Sequence, residues 1–144
     1  MNATRQSPRT YALTIVTHER RRLFQVTANA QLMTDLILRY RAEQKILLHA
    51  FVIMPDHLHV LLTPTESIER TAQLLKGGFS FAARATVSKP IWQDGYHEYR
   101  IRDVEDYDLQ KRYIENNPTR KGHETYAHIH TQYLEHIDPP MIVG

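Results

Sequence analysis

The apolar residues of this chain fall into blocks whose spacing alternates between that of strands and that of helices. β-Branched and aromatic residues at 11–17 predict a first strand, and apolar residues at helical spacing predict a helix over 27–45. The nearly unbroken apolar run 46–54 predicts a central strand that is buried on both faces. A turn at 55–56 and a further apolar run at 57–63 predict an antiparallel partner for that strand.

A second helix is predicted after residues 64–67, whose oxygen-bearing side chains and early acid are typical of a helix start. Apolar residues at helical spacing continue this helix, and the segment ends at Lys89-Pro90. Gly77 and Gly78 lie inside this helix, and each lowers helix propensity by roughly 1 kcal/mol. We therefore expect a kink there, or the close approach of another backbone.

The remaining predicted elements are a strand at 96–101 and a last helix. Asp103 can cap that helix, and Pro118 is expected to end it because the residue before a proline resists the α conformation. The order β-α-β-β-α-β-α begins with the split βαβ pattern of the ferredoxin-like fold. We predict an α+β fold in which helices cover one face of an antiparallel sheet and an extra helix follows at the C-terminus.

Length and composition indicate a single domain, no membrane-spanning segment and no cysteine chemistry. The 144 residues fit a single domain, 1–144, with residues 1–9 as a loose arm and residues 123–144 as a tail without an assigned element. No apolar run is long enough to span a membrane, and the N-terminus lacks the apolar segment of a secretory signal. The absence of cysteine excludes disulfides, thiolate zinc sites and a cysteine nucleophile. These observations predict a cytoplasmic protein with no membrane partner.

The net charge of +2 is only mildly basic, but the basic residues are clustered. Such clusters can neutralise the phosphates of a nucleic acid, although an ordinary solvated surface is the alternative. The candidates for DNA contact are Arg20, Arg21, Arg22, Arg100, Arg102, Arg120 and Lys121.

Two histidines, His57 and His59, lie one residue apart in a predicted strand and therefore share one face. Imidazoles inside an apolar strand need partners, and a metal ion is one such partner. The spacing alone is weak evidence, because the chain has nine histidines and a second pair, His128 and His130, in its tail. Two structural histidines with ordinary hydrogen bonds are the alternative.

The last predicted helix offers a third ligand, which a metal site built on two histidines would still need. Tyr113 and Asn117 are four residues apart and share one helical face. The amide oxygen of Asn117 could complete a neutral shell of two imidazoles and one amide, which leaves the charge of Mg²⁺ or Mn²⁺ facing an anion such as a phosphodiester. The alternative for Tyr113 is a half-buried core position, which is the common fate of a tyrosine.

These residues carry a family resemblance. The segments P-D-H-L-H-V-L-L at 55–62 and R-Y-I-E-N-N-P-T-R-K-G at 112–122 resemble the HUH single-tyrosine transposases of the insertion-sequence type. The segment I-W-Q-D-G-Y-H at 91–97 is similar to the subgroup of REP-associated tyrosine transposases. The resemblance extends from the first strand to about Gly122, and no motif follows it.

The resemblance implies a function and a set of roles. It implies His57, His59 and Asn117 as ligands of a divalent metal, Mg²⁺ or Mn²⁺, and Tyr113 as the nucleophile on a catalytic C-terminal helix. The implied reaction is metal-dependent cleavage and strand transfer of single-stranded DNA that carries hairpins, through a 5′-phosphotyrosine intermediate. Trp92 or exposed tyrosines could stack on unpaired bases, and the alternative for Trp92 is a core anchor.

Three other interpretations compete with strand transfer. A histidine-triad nucleotide hydrolase or transferase requires a third histidine two residues after His59, where this chain has Leu61. A catalytically silent module could bind hairpin DNA without cleaving it. A ferredoxin-like interaction domain without chemistry would leave the two strand histidines without a partner. No dimer motif is recognised, so a monomer is favoured over a homodimer.

Overall fold

In the part of the chain that the structure describes, four antiparallel strands and three α-helices follow one another in the predicted order. A computed structural model describes residues 9–120 and 137–140 of the chain, with side chains described as far as Asn117 and again in 137–140. The elements are β1 (Tyr11–Val16), α1 (Thr27–Ala42), β2 (Ile46–Met54), β3 (His57–Pro64), α2 (Ile68–Ala82), β4 (His97–Arg100) and α3 (Val104–Arg120).

The sheet has the strand order β2-β3-β1-β4, and every neighbouring pair is antiparallel. β1 and β2 therefore run parallel to each other with β3 between them, which is the arrangement of a split βαβ unit. The predicted α+β fold with an antiparallel sheet is confirmed. β3 is a central strand, so its residues are in register with β1 on one side and β2 on the other.

The two faces of the sheet carry different helices. Leu58, Val60 and Leu62 of β3 belong to the larger core, which α1 and α2 complete. Leu61 belongs to a smaller core on the opposite face, where Tyr107 and Ile114 of α3 pack. Because neighbouring side chains of a strand point to opposite faces, His57 and His59 lie on the same face as Leu61, beneath α3.

The two glycines of α2 have different roles, and neither causes the expected kink. The helix runs through both without a break. A Cβ atom on Gly78 would lie 2.5 Å from Tyr40 Oη and 2.9 Å from a methyl group of Leu36, both on α1. A Cβ atom on Gly77 would meet nothing within 4 Å. The sequence predicts the close approach of another backbone at this point. At Gly78 the approach is instead made by side chains of α1.

Two helix ends differ from the sequence prediction. α1 ends at Ala42, before the predicted 45, because Gln44 adopts a left-handed conformation with φ of 61° that terminates a helix. α3 continues to Arg120, so the prediction that Pro118 ends the helix was wrong. A proline in the last turn removes only one backbone hydrogen bond. Asn117, the residue before it, stays helical because the buried Tyr107 and Ile114 fix α3 against the sheet.

Residues 137–140 lie along β2, an edge strand. The backbone N–H of Asp138 donates to the carbonyl of Leu48 at 2.6 Å, and the backbone N–H of Leu48 donates to the Asp138 carboxylate at 2.8 Å. Arg41 donates to both oxygens of that carboxylate, at 2.9 and 3.2 Å. Burial raises the pKa of Asp138, but the hydrogen bonds from Arg41 and Leu48 outweigh it and hold the pKa below its ordinary value. The predicted tail thus contains a fixed anchor.

His49 is a structural histidine at the irregularity between Leu48 and Ala50 in β2. Its Nδ1 is 3.0 Å from the carbonyl oxygen of Asp138, and its Nε2 is 2.8 Å from Thr63 Oγ1. Burial lowers its pKa, so the ring is neutral at physiological pH.

Parts of the organisation predicted from sequence lie outside the described residues. These are the arm over 1–8, the tail over 121–136 with its histidine pair, and 141–144. Within the residues that are described, no helix is long and apolar enough to cross a membrane.

The glycine pair supplies a matched test of how α1 and α2 pack. We expect Gly78→Ala to lower the free energy of unfolding by about 1–3 kcal/mol, because the new methyl group would overlap Tyr40, whose hydroxyl is hydrogen-bonded to the carbonyl of Leu74 at 3.0 Å. Gly77→Ala should raise it by about 0.5–1 kcal/mol through helix propensity alone. Urea denaturation measures both, and equal effects of the two substitutions would contradict the packing described here.

Candidate active site

His57 and His59 are placed by the register of β3 between its two neighbours. His57 lies opposite Val16 and Met54, and His59 lies opposite Thr14 and Val52. The two imidazole rings have centroids 4.8 Å apart and planes at 80°. His57 is 6% exposed and His59 is half-buried. The structure therefore brings both rings together at the start of β3.

Each of these rings is held through its Nδ1 atom by a neighbouring oxygen. His57 Nδ1 lies 2.7 Å from Asp56 Oδ1, and His59 Nδ1 lies 2.7 Å from Thr14 Oγ1. A hydrogen bond at one ring nitrogen fixes the orientation of the ring and selects its tautomer. Asp56 and Thr14 are thus functional candidates that the sequence analysis missed. Asp56 was interpreted only as a turn residue, and Thr14 becomes adjacent to His59 only through strand register.

Asp56 is itself held between two basic side chains. Its Oδ2 accepts a hydrogen bond from Arg20 Nη1 at 3.2 Å, while its Oδ1 faces His57. Partial burial raises the pKa of Asp56, but the hydrogen bonds and charges of His57 and Arg20 outweigh burial and place the pKa below its usual range. Asp56 is therefore an ionised carboxylate at neutral pH, next to the first histidine.

Tyr113 faces the histidine pair from α3. Its ring centroid is 5.8 Å from that of His59, with the planes at 81°. The side chain is 41% exposed, so a molecule in solution can reach it. Tyr107 and Ile114 are buried on the same helix and fix α3 against the sheet. The structure thus brings the ring of Tyr113 next to that of His59.

Asn117 lies one helical turn after Tyr113 and is completely buried. Neither the oxygen nor the nitrogen of its side-chain amide has a hydrogen-bond partner among the described residues. A buried amide without partners costs about 1–3 kcal/mol, so native proteins rarely retain one without a reason. A ligand on the amide oxygen would supply such a reason.

The donor set of this site is unusual in lacking a cluster of acids. Within residues 9–120 and 137–140, no group of three or more His, Cys, Asp or Glu side chains could hold a metal ion. A metal at this site would instead rest on two imidazoles and the unpartnered amide of Asn117. Imidazole and amide oxygen together suit Mn²⁺, and Mg²⁺ accepts the oxygen ligand readily. The side chains present therefore fit a divalent cation.

The predicted DNA-contacting residues differ in how far the fold already uses them. Arg21 donates to the carbonyls of Ser88 and Pro90 at 2.9 and 2.8 Å, and it therefore ties the 88–90 loop to the first half of the chain. Arg20 and Arg102 form contacts with Asp56 and Asp106, and Arg22 and Arg100 are exposed. The side chain of Arg120 and all of Lys121 lie outside the part of the chain whose side chains are described.

Two aromatic residues of the second half of the chain have structural surroundings. The ring of Trp92 packs against Phe24 and Phe79, and its indole N–H donates to the Lys76 carbonyl at 3.0 Å. Trp92 is therefore a half-buried anchor of the larger core. Tyr107 is buried, and burial raises its pKa to about 12, which makes its phenol a poor nucleophile.

Comparison with known proteins places this geometry in a family. The family described as "Transposase IS200 like" matches residues 6–117, which include both strand histidines, Tyr113 and Asn117. The chain belongs to the IS200-like transposase family. The family resemblance read from the sequence is therefore confirmed.

The relatives support the same placement within this transposase family. A REP-associated tyrosine transposase of Escherichia coli K12 is 26% identical over 97 residues, which cover 67% of this chain and 59% of that protein. The chain thus matches about three fifths of that curated relative's length.

Solved structures share the fold of this IS200-like protein. A structure of a REP-associated tyrosine transposase bound to a REP hairpin superimposes with a TM-score of 0.75 at 23% identity, covering 100% of this chain and 92% of that chain. A crystal structure from Deinococcus radiodurans R1, also assigned to the transposases, gives a TM-score of 0.53 at 25% identity, covering 81% and 96%. The first match confirms the fold independently of the strand order.

Most substitutions of buried residues lower the free energy of unfolding, but substitution of Asn117 is expected to raise it when no metal is bound. In EDTA, Asn117→Leu should raise the free energy of unfolding by about 1 kcal/mol, because it replaces an unpartnered buried amide with an apolar group of similar size. In excess Mn²⁺ the order should reverse, because only the wild type gains stability from binding. Thermal denaturation measures both conditions. Asn116→Leu, at the exposed neighbouring position, is the control, and destabilisation by Asn117→Leu in EDTA would contradict the account.

Proposed function

We propose that this protein cleaves and rejoins single-stranded DNA at hairpin-bearing sites through a covalent bond to Tyr113. The observation that carries the proposal is the position of the partly exposed Tyr113 ring, 5.8 Å from the ring of His59. It lies one helical turn before a buried amide that has no hydrogen-bond partner among the described residues. Family membership supports a DNA-processing activity of this kind.

His57 and His59, through Nε2, and Asn117, through its amide oxygen, would hold Mg²⁺ or Mn²⁺. When bound, the cation would polarise and orient the scissile phosphate. Asp56 and Thr14 would hold the two imidazoles by their Nδ1 atoms, as carboxylates and hydroxyls do for ligating histidines in other metal sites. Three neutral ligands would leave the positive charge of the site directed at the DNA.

Tyr113 would attack the phosphorus atom in line with the leaving oxygen. The new Oη–P bond forms as the P–O3′ bond breaks, and the phenolic proton is balanced by the proton that the leaving 3′ oxygen takes up. The products are a 5′-phosphotyrosine and a free 3′-hydroxyl, so the number of phosphodiester bonds is conserved. A 3′-hydroxyl from another strand can reverse the step and join the DNA without water or ATP.

The proposed substrate is single-stranded DNA with a hairpin. The structural neighbour with a TM-score of 0.75 was solved bound to a REP hairpin. The exposed Arg22 and Arg100 offer cations for phosphates, and DNA binding through them should weaken steeply with salt. The alternative is a catalytically silent module that binds the hairpin, and formation of a protein–DNA adduct distinguishes cleavage from such binding.

The assignment of Tyr113 as the nucleophile is tested by removing its phenol oxygen. Wild-type protein mixed with a hairpin oligonucleotide and Mn²⁺ should form a protein–DNA adduct that survives denaturing electrophoresis, and Tyr113→Phe should form none. The ring contact with His59 survives the substitution, so DNA binding measured by fluorescence anisotropy should change less than twofold. The control is Tyr99→Phe, on β4, which removes the phenol oxygen of another exposed tyrosine, one that donates to Asp106 at 3.0 Å.

The metal ligands are tested in the same assay. His57→Ala should abolish the adduct while retaining hairpin binding, because only the polarisation of the phosphate is lost.

An adduct that persists in Tyr113→Phe would show that another residue is the nucleophile. Hairpin binding by the wild type with no adduct under any metal would favour the silent module.

A further inference from the structure

Phe81, near the C-terminal end of α2, is 67% exposed, the highest exposure among the large apolar side chains described. Single exposed apolar residues are common on protein surfaces and require no explanation. Phe81 differs because the guanidinium of Arg84 lies 3.9 Å from its ring centroid. A cation thus lies over one face of the ring, and most of the side chain remains open to solvent.

Arg84 is fixed in this position by its own helix. Its Nη1 donates to the carbonyl of Phe81 at 2.6 Å, at the end of α2 where the last carbonyls lack helical partners. The ring and the guanidinium therefore form a pair that exists before any ligand arrives. A surface arranged in advance loses little conformational entropy on binding.

A chain of contacts connects this end of α2 to the candidate active site. Phe79, two residues before Phe81, packs on Trp92 with ring centroids 5.5 Å apart. Trp92 pairs with Thr17, just after β1, and the backbone N–H of Thr17 donates to the carbonyl of Asp56 at 3.0 Å. Asp56 holds His57, so these contacts run from the face of the sheet that α2 covers to the start of β3, where the histidine pair lies on the other face.

The surrounding charge favours a polyanion. From residue 70 to residue 93 the chain carries four cations and no aspartate or glutamate. Arg21 is tied to the adjacent 88–90 loop, which brings a further cation to this region. The cations of the segment are Arg70, Lys76, Arg84 and Lys89.

We propose that Phe81 and Arg84 form a stacking site for one unpaired nucleobase of the bound DNA strand, in the single-stranded segment next to the hairpin. The free face of Phe81 would stack on the base, and Arg84 would face the neighbouring phosphate. Aromatic rings and guanidinium planes are the groups on which proteins stack unpaired bases. A single ring among cations is too small to form the apolar centre of a protein interface. The proposal rests on the proposed function, because it assumes that DNA binds.

The test uses the full chain and a hairpin oligonucleotide with 2-aminopurine placed at successive positions of its single-stranded flank. At one position, wild-type protein should quench the fluorescence by stacking. Phe81→Ala should abolish that quenching and weaken binding roughly five- to tenfold. Phe81→Trp should retain both, and Arg84→Gln should weaken binding with partial loss of quenching. Val26→Ala removes another exposed apolar side chain, 55% exposed, and should change neither measurement.

The outcomes separate this inference from the proposed function. Binding and quenching by Phe81→Ala that match those of Val26→Ala would overturn the stacking site and leave the function of Tyr113 intact. Failure of the wild type to bind the hairpin at all would overturn both. Equal weakening by Phe81→Ala and Phe81→Trp would also contradict stacking, because the larger ring preserves a flat face.

Discussion

The alternation of side chains along β3 is the constraint on which the rest of the structure depends. Leu58, Val60 and Leu62 must face α1 and α2 to complete the larger core, and this commits His57 and His59 to the opposite face. A slip of one residue in the pairing of β3 would turn both imidazoles into the larger apolar core and place three aliphatic side chains beneath α3, where the polar site now lies. The free energy of the core therefore fixes the position of the candidate active site.

The candidate site is polar where the fold alone would favour apolar groups. Asn117 is buried without hydrogen-bond partners among the described residues, and Asp56 keeps an ionised carboxylate beside His57. Each departs from what packing favours, and such departures concentrate where a protein binds or reacts. Tyr113 completes the pattern, because it keeps much of its ring exposed on a helix that is otherwise fixed by Tyr107 and Ile114.

The sequence predicted what depends on periodicity and could not predict what depends on register. The strand 46–54 and the shared face of the histidine pair followed from spacing, and the structure agrees with both. Thr14 is 45 residues from His59 along the chain and meets it only because β1 pairs with β3 in one register. Asp138 likewise lies in a segment without periodicity, so no local pattern indicated its contact with β2. The sequence likewise does not decide the packing of Trp92, since a lone aromatic residue after a turn suits both a core and a surface.

The central claim is that His57, His59 and Asn117 form one metal site facing Tyr113. Its most direct test is a crystal of the protein soaked in Mn²⁺ and measured for anomalous scattering. The account predicts a peak within about 2.0–2.3 Å of the two imidazoles and the amide oxygen. A peak at His128 and His130 with none at the strand pair would contradict it.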